Sequence, residues 1–199
     1  MFPFGKMNET GMLTHILEIF WIEKLRFTQY TFQQIAKLTE EEYEFSGEGR
    51  PKSIAWAVDE MAAYDRNFSF YLPLSMRVSS LFFFAPYQEN EVEKDIESIR
   101  DKYTPPAFPV RFLDISIDSA KQLEIKESSP QRDKLLKDWR LTLLRLEDRL
   151  SKLSEEDAFK KRYASLSGIH TIAGAINNST EFCHFLWNQH AAPFINHES

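Results

Sequence analysis

Apolar residues recur at spacings of three and four in several stretches of this chain, a period that predicts amphipathic helices. The first predicted helix opens between Asn8 and Thr10 and runs to Leu38, with Leu13, Ile16, Leu17, Phe20, Trp21, Phe27, Ile35 and Leu38 on one face. A second, over 52–71, buries Ile54, Val58, Met61, Ala62 and Phe68. The third, over 130–153, has the cleanest pattern: Leu136, Trp139, Leu143, Leu146, Leu150 and Leu153 form a seam of the kind antiparallel bundles use. The fourth, over 167–191, places Ile169, Ile172, Ile176, Cys183 and Trp187 on its inner face and ends before Pro193.

Boundary residues support this division. Thr39 followed by Glu40-Glu41-Glu42 resembles a capping restart, and Ser46-Gly47-Glu48-Gly49-Arg50-Pro51 is a turn-rich break with Pro51 placed for a helix start. Ser129-Pro130 pairs an N-cap with proline at the first helical position, and Ser154-Glu155-Glu156-Asp157 opens a short capped turn. Pro73 marks the expected end of the second helix, although Leu74–Phe84 either extends it or packs as a short helix of its own. Within the irregular 73–129 region, Val92, Ile96 and Ile99 suggest an acidic helical turn or two. Thr104-Pro105-Pro106-Ala107-Phe108-Pro109 excludes helix, and Leu113, Ile115 and Ile117 alternate as an extended stretch would. The whole region is expected to be a crossover between two helix pairs.

Polar residues interrupt the apolar faces. Lys24, Thr28 and Thr31 share the face of the first helix, so either that helix bends or the interior is polar. Asp65 falls inside the second stripe and Glu60 on its flank. The expectation favours Lys24, Glu60 and Asp65 reaching out to the rim, because buried charges are rare, with an interior cluster of the three as the alternative.

Composition narrows the classes. Of 199 residues, 43% are hydrophobic and 17 are phenylalanine, enough for a bulky core without disulfide or metal staples. A formal net charge of −6 argues against a nucleic-acid partner. The lone cysteine, Cys183, excludes a disulfide framework. No basic-then-apolar leader is evident, and the longest apolar run, near Leu81–Pro86, falls far short of the ~20 residues a membrane span needs, so the expected location is cytoplasmic.

The second stretch reads Ser53-Ile54-Ala55-Trp56-Ala57-Val58-Asp59-Glu60-Met61-Ala62 and resembles the S-I-x-W-x-l-x-H-x-A segment of the DinB superfamily, which includes the YfiT-like proteins. Leu38-Thr39-Glu40-Glu41-Glu42 resembles that family's first-helix ending, and Thr171 to Gln189 its fourth-helix frame. The resemblance implies an all-α, single-domain four-helix bundle over 1–199 with a long crossover between helices 2 and 3, commonly a homodimer. It also implies a zinc or nickel ion on three histidines, one on the second helix and two at i and i+4 on the fourth, with an open position for a thiol or water. This chain departs from that pattern. Glu60 stands at the first ligand position, and the pair on the fourth helix falls on Asn178 and Phe182 or on Phe182 and Leu186, depending on register. A phenyl ring cannot ligate, so no metal is expected.

Other candidates carry less chemistry. Glu181 and His184, at i and i+3, offer a weak metal site but are expected to be a solvated pair. His170 and His184 share a predicted helix at about 21 Å along its axis, His190 points elsewhere, and His15 faces away from the first helix's main face. Cys183 is expected to be a buried apolar side chain rather than a nucleophile. The six glycines form no phosphate loop. The favoured function is a non-catalytic or cryptic dimeric helical scaffold or small-ligand binder. The alternatives are a metal- and thiol-dependent transferase or hydrolase, and a protein whose acidic 88–101 segment docks on a basic partner.

Overall fold

The computed structural model describes residues 11–47, 49–81, 114–165 and 168–195, and these are mostly helical. Four long helices dominate: α1 (Gly11–Ile35), α3 (Ile54–Leu81), α4 (Pro130–Leu150) and α6 (Ile172–His190). Shorter ones are α2 (Glu40–Glu44), α5 (Glu155–Lys160) and α7 (Ala192–Ile195). α6 packs against α1 and α3, and α4 against α3. This central position buries α6 around nearly its whole circumference, including Asn177, Asn178, Ser179, Thr180 and Glu181.

Local capping sets several boundaries. Thr39 accepts a hydrogen bond from the Glu42 amide at 3.2 Å, while Glu42 accepts from the Thr39 amide at 2.7 Å, a reciprocal box that opens α2. Ser129 caps α4 ahead of Pro130, and Ser154 caps α5. At the start of α3 the cap is Ser53, whose Oγ accepts from the Trp56 amide at 3.0 Å; Pro51 lies in the preceding turn rather than in the helix.

α1 and α4 each end three residues before the expected position, at Ile35 and Leu150, and two other boundaries differ more. α3 does not stop before Pro73 but runs through it to Leu81, the extension that is one of the two alternatives for Leu74–Phe84. Proline at that position removes the N–H that would bond the Ser69 carbonyl. Arg149 of α4 fills the gap: its Nη1 donates to Ser69 O, and to Ser69 Oγ at 3.2 Å. The second difference is at α6, which starts at Ile172 rather than near 167. Residues ahead of it form an antiparallel hairpin, β1 (Arg162–Ser165) and β2 (Gly168–Thr171), in which Tyr163 pairs with His170. Gly168 has φ 138°, which no helix accommodates, and Thr171 takes extended angles to accept the Gly174 amide as N-cap of α6. Ile169, expected on the inner face, is 65% exposed.

The crossover expectations for residues 82–113, including the 88–101 segment and the proline cluster, lie outside the described residues. Where the chain resumes, it is laid along α1 and α4. Arg26 Nε donates to Ile115 O at 3.1 Å, and the Gln29 side chain both accepts from the Glu124 amide (2.7 Å) and donates to its carbonyl (3.4 Å). Glu147 of α4 accepts from Ser119 Oγ, the Ala120 amide and Trp21 Nε1. Ile117, Ala120 and Leu123 are thereby buried. Arg132 of α4 closes the end of α1, donating to the carbonyls of Ile35, Leu38 and Thr39 while pairing with Glu40 at 2.6 Å.

The Pro73–Arg149 compensation predicts a coupled pair. Arg149→Ala is expected to cost about 1–3 kcal/mol, the desolvation penalty of an orphaned carbonyl. In a Pro73→Ala background, where the helix supplies its own N–H, the same change should cost markedly less. Urea unfolding of the four proteins in a double-mutant cycle measures this; additive costs would refute it.

Candidate functional site

α1, α3, α4 and α6 each send one or two polar side chains to a common point in the bundle. Lys24 of α1 and Asp65 of α3, 1% and 0% exposed, form an ion pair at 2.9 Å. Lys24 Nζ also donates to Ser179 Oγ at 2.9 Å and to Cys183 Sγ at 3.0 Å, both on α6. Asp65 Oδ2 accepts from Trp139 Nε1 of α4 at 2.7 Å, and Oδ1 accepts from Ser179 Oγ at 2.5 Å. An ammonium has three protons to donate, and all three are used. Thr28 of the same face turns its hydroxyl back to the Lys24 carbonyl at 2.9 Å.

The rim expectation for Lys24 and Asp65 therefore gives way to burial. Withdrawing two charges from water costs several kcal/mol each, and only a well-formed pair with its remaining hydrogen-bonding capacity met offsets that. Ser179 and Trp139 meet it here. Burial alone would lower the Lys24 pKa, but the charge of Asp65, with the hydrogen bonds to Asp65 and to the Cys183 sulfur, outweighs burial and holds it above the ordinary value. Glu60 takes no part: it is half-buried, one turn before Tyr64 on α3.

Burial pushes the Cys183 thiol up to about 12; Lys24 opposes the shift and Asp65 adds to it. At neutral pH the sulfur is a protonated acceptor for the lysine, not a thiolate nucleophile. His184 is 3% exposed with its ring edge-on to Phe27, centroids 4.1 Å apart. Burial, reinforced by the Lys24 charge, holds its pKa well below the usual value. Glu181 is 5% exposed, so the expected solvated Glu181–His184 pair is instead interior. His170 lies on β2, not on the fourth helix, and His190 sits edge-on to Trp56.

The positions that the resemblance marks as ligands hold different chemistry. Asn178 donates from Nδ2 to the Tyr64 hydroxyl at 2.5 Å, and the Tyr64 ring stacks on Phe182 with centroids 4.6 Å apart. Leu186 is a core residue, 4% exposed. An amide, a phenol and a phenyl ring do not make the nitrogen- and sulfur-rich donor set that zinc or nickel prefers, so no chemistry is assigned to a metal at this place. Among the described residues, no group of three histidine, cysteine, aspartate or glutamate side chains converges to hold an ion.

Trp139, Ser179 and Tyr64 went unrecognised in the sequence. The signal for Trp139 was an indole N–H inside a seam of leucines, which requires an acceptor. Ser179 lies one turn ahead of Cys183 on the same inner face. Comparison with family models, curated proteins and solved structures finds no match for this chain.

Two predictions follow the geometry. Lys24→Met or Asp65→Leu alone is expected to cost about 3–5 kcal/mol, since each strands a buried charge. The double variant should cost less than the sum, and additive unfolding free energies would exclude the pairing. For His184, the folded state resists the proton that the unfolded chain binds near the ordinary histidine value of 6.5. Its contribution is thus fully present above about pH 6.5 and is lost as pH falls, at up to ~1.4 kcal/mol per pH unit. His184→Gln should remove that component between pH 6.5 and 5; identical pH profiles for the two proteins would refute it.

Proposed function

We propose that this chain is a divergent DinB-like helical bundle acting as a dimeric scaffold or small-ligand binder, with an interior given to structure rather than to metal and thiol chemistry. The observation that carries the reading is the saturation of the buried charges. Lys24 has no donor left for a substrate, Asp65 accepts from three groups, and Cys183 is a fully buried, protonated thiol. A catalytic centre of the thiol-transfer kind needs an ionisable sulfur and an open coordination position. The stack of Tyr64 on Phe182 with Asn178 offers neither.

The ion pair takes over, in this reading, the cross-linking role that a metal plays in related bundles. It ties helices together by charge and direction and leaves no coordination vacancy. No described helix is long and apolar enough to cross a membrane. Among the described residues, nine large apolar side chains are well exposed, Phe70 at 72%, Leu74 at 57% and Val78 at 42% among them, which supports association of two copies.

Tag-free protein should contain less than stoichiometric zinc or nickel by elemental analysis, and sedimentation should give a homodimer at micromolar concentration. One ion per chain that survives dialysis against a chelator would overturn the reading. Restoration provides the positive arm. Glu60→His and Phe182→His with Asn178→His is expected to gain metal affinity, whereas the same pair with Leu186→His is not. Asn178 and Phe182 meet the same tyrosine of α3, while Leu186 belongs to the core.

A further inference from the structure

The proline that interrupts α3 shapes the surface as well as the backbone. A groove of about 350 Å³ lies between the second half of α3, the end of α4 and α5 with the residue that follows it. Its floor is apolar, made by Leu72, Pro73, Met76 and Leu153. Its rim carries Arg77, Arg149, Lys152 and Lys161 against a single acid, Asp157. In a chain of formal net charge −6, that rim is a local reversal of sign.

Helix ends favour cations, and this accounts for part of the rim, since Arg149 and Lys152 close α4 and Lys161 follows α5. Lys152 and Lys161 also sit beside acids, Asp148 at 2.6 Å and Asp157 at 3.0 Å. The Lys152 pair is exposed and contributes little, and the Lys161 pair is half-buried at the groove, where a second anion can share the ammonium. Helix-end placement does not account for Arg77, which stands short of the last turn of α3. Nor does it account for the fixed direction of Arg149. Its Nη1 is held on the Ser69 carbonyl that Pro73 vacates, so the guanidinium is pre-set at the groove with its other nitrogens available. A planar guanidinium held in place is the side chain best suited to a carboxylate.

We propose that this groove binds a medium-chain alkyl carboxylate, its tail along Pro73, Met76 and Leu153 and its head between Arg77, Arg149 and Lys161. A volume of this size lies in the range of small-molecule sites, and an apolar floor with a few convergent charged groups is their usual make-up. A second copy of the chain is a poorer occupant, because a two-fold contact across this rim would set cation against cation. The proposal supplies a ligand class for the ligand-binding part of the reading above. Its failure would leave the metal-free interior standing, because that is read by elemental analysis.

Calorimetric titration of the full chain with decanoate, below the concentration at which the probe self-associates, tests it. Saturable binding of one decanoate per chain is expected. Acetate, which lacks the tail, and decyltrimethylammonium, which reverses the head charge, should bind at least tenfold more weakly. Octanoate should bind up to roughly fifteenfold more weakly, as two methylenes leave the floor. Arg77→Glu with Lys161→Glu, checked for native helix content by circular dichroism, should weaken decanoate at least tenfold. No saturable decanoate binding, equal binding of the cationic probe, or unchanged affinity in the folded double variant would each overturn the proposal. Should that variant not fold, the comparison of probes on the unaltered chain decides alone.

Discussion

A lysine that reaches water from nowhere must be answered from inside, and the pairing of Lys24 with Asp65 sets the terms for the rest of this bundle. The pair lies where α1, α3, α4 and α6 converge, and each helix contributes a group to it. A hydrophobic seam tolerates a shift of register at modest cost, because any apolar surface will do. A charge with directional partners does not. Turning α6 about its axis would withdraw Ser179 and Cys183 from Lys24 together and leave the ammonium with Asp65 alone in a dry interior. The network thus specifies one arrangement of four helices among the several that leucine, isoleucine and phenylalanine would accept, a role known for buried polar groups elsewhere.

The same logic operates at smaller scale around the structure. Backbone groups that local sequence leaves unsatisfied are met by side chains from distant helices. Arg149 supplies a donor to the carbonyl freed by Pro73, Arg132 covers the last carbonyls of α1, and Glu147 gathers the amide and hydroxyl of the returning crossover. Each of these residues sits on α4, whose inner face is built mainly on Leu136, Trp139, Leu143, Leu146 and Leu150. α4 acts as the strut against which irregular parts of the chain are finished. Its regularity is what lets neighbouring segments depart from ideal geometry.

What could be read from the sequence divides along the same line. The caps at Thr39, Ser129 and Ser154, and the seam of α4, depend on residues within a few positions of each other, and they are legible for that reason. Pro73 misled because the local rule is sound, but its exception is written 80 residues on from Ser69, at Arg149. Lys24 misled because a lysine among apolar neighbours carries no mark of its partner. The hairpin ahead of α6 was hidden by Ile169, Ile172 and Ile176, whose spacing suits a helix even though Gly168 forbids one there. Trp139 fitted its seam so well by volume that its one polar atom drew no attention. Long-range satisfaction of polar groups decides such cases, and a periodicity argument does not contain it.

The clasp of Arg132 on the end of α1 also orders events in time. The carbonyl of Ile35 and the guanidinium that covers it are separated by 97 residues. At synthesis rates of roughly 5–20 residues per second, the first helix is complete some 5–20 s before its cap exists. Through that interval its last turn is closed only by local bonds, from the Leu38 amide to Ile35 O at 3.2 Å and from the Lys37 amide to Gln34 O at 3.1 Å, and the Tyr43 ring waits for the cation that will stack on it at 4.3 Å. The N-terminal half of the nascent chain is therefore an unfinished surface: α4 brings the clasp, and α6, which carries Ser179 and Cys183 to Lys24, completes it last.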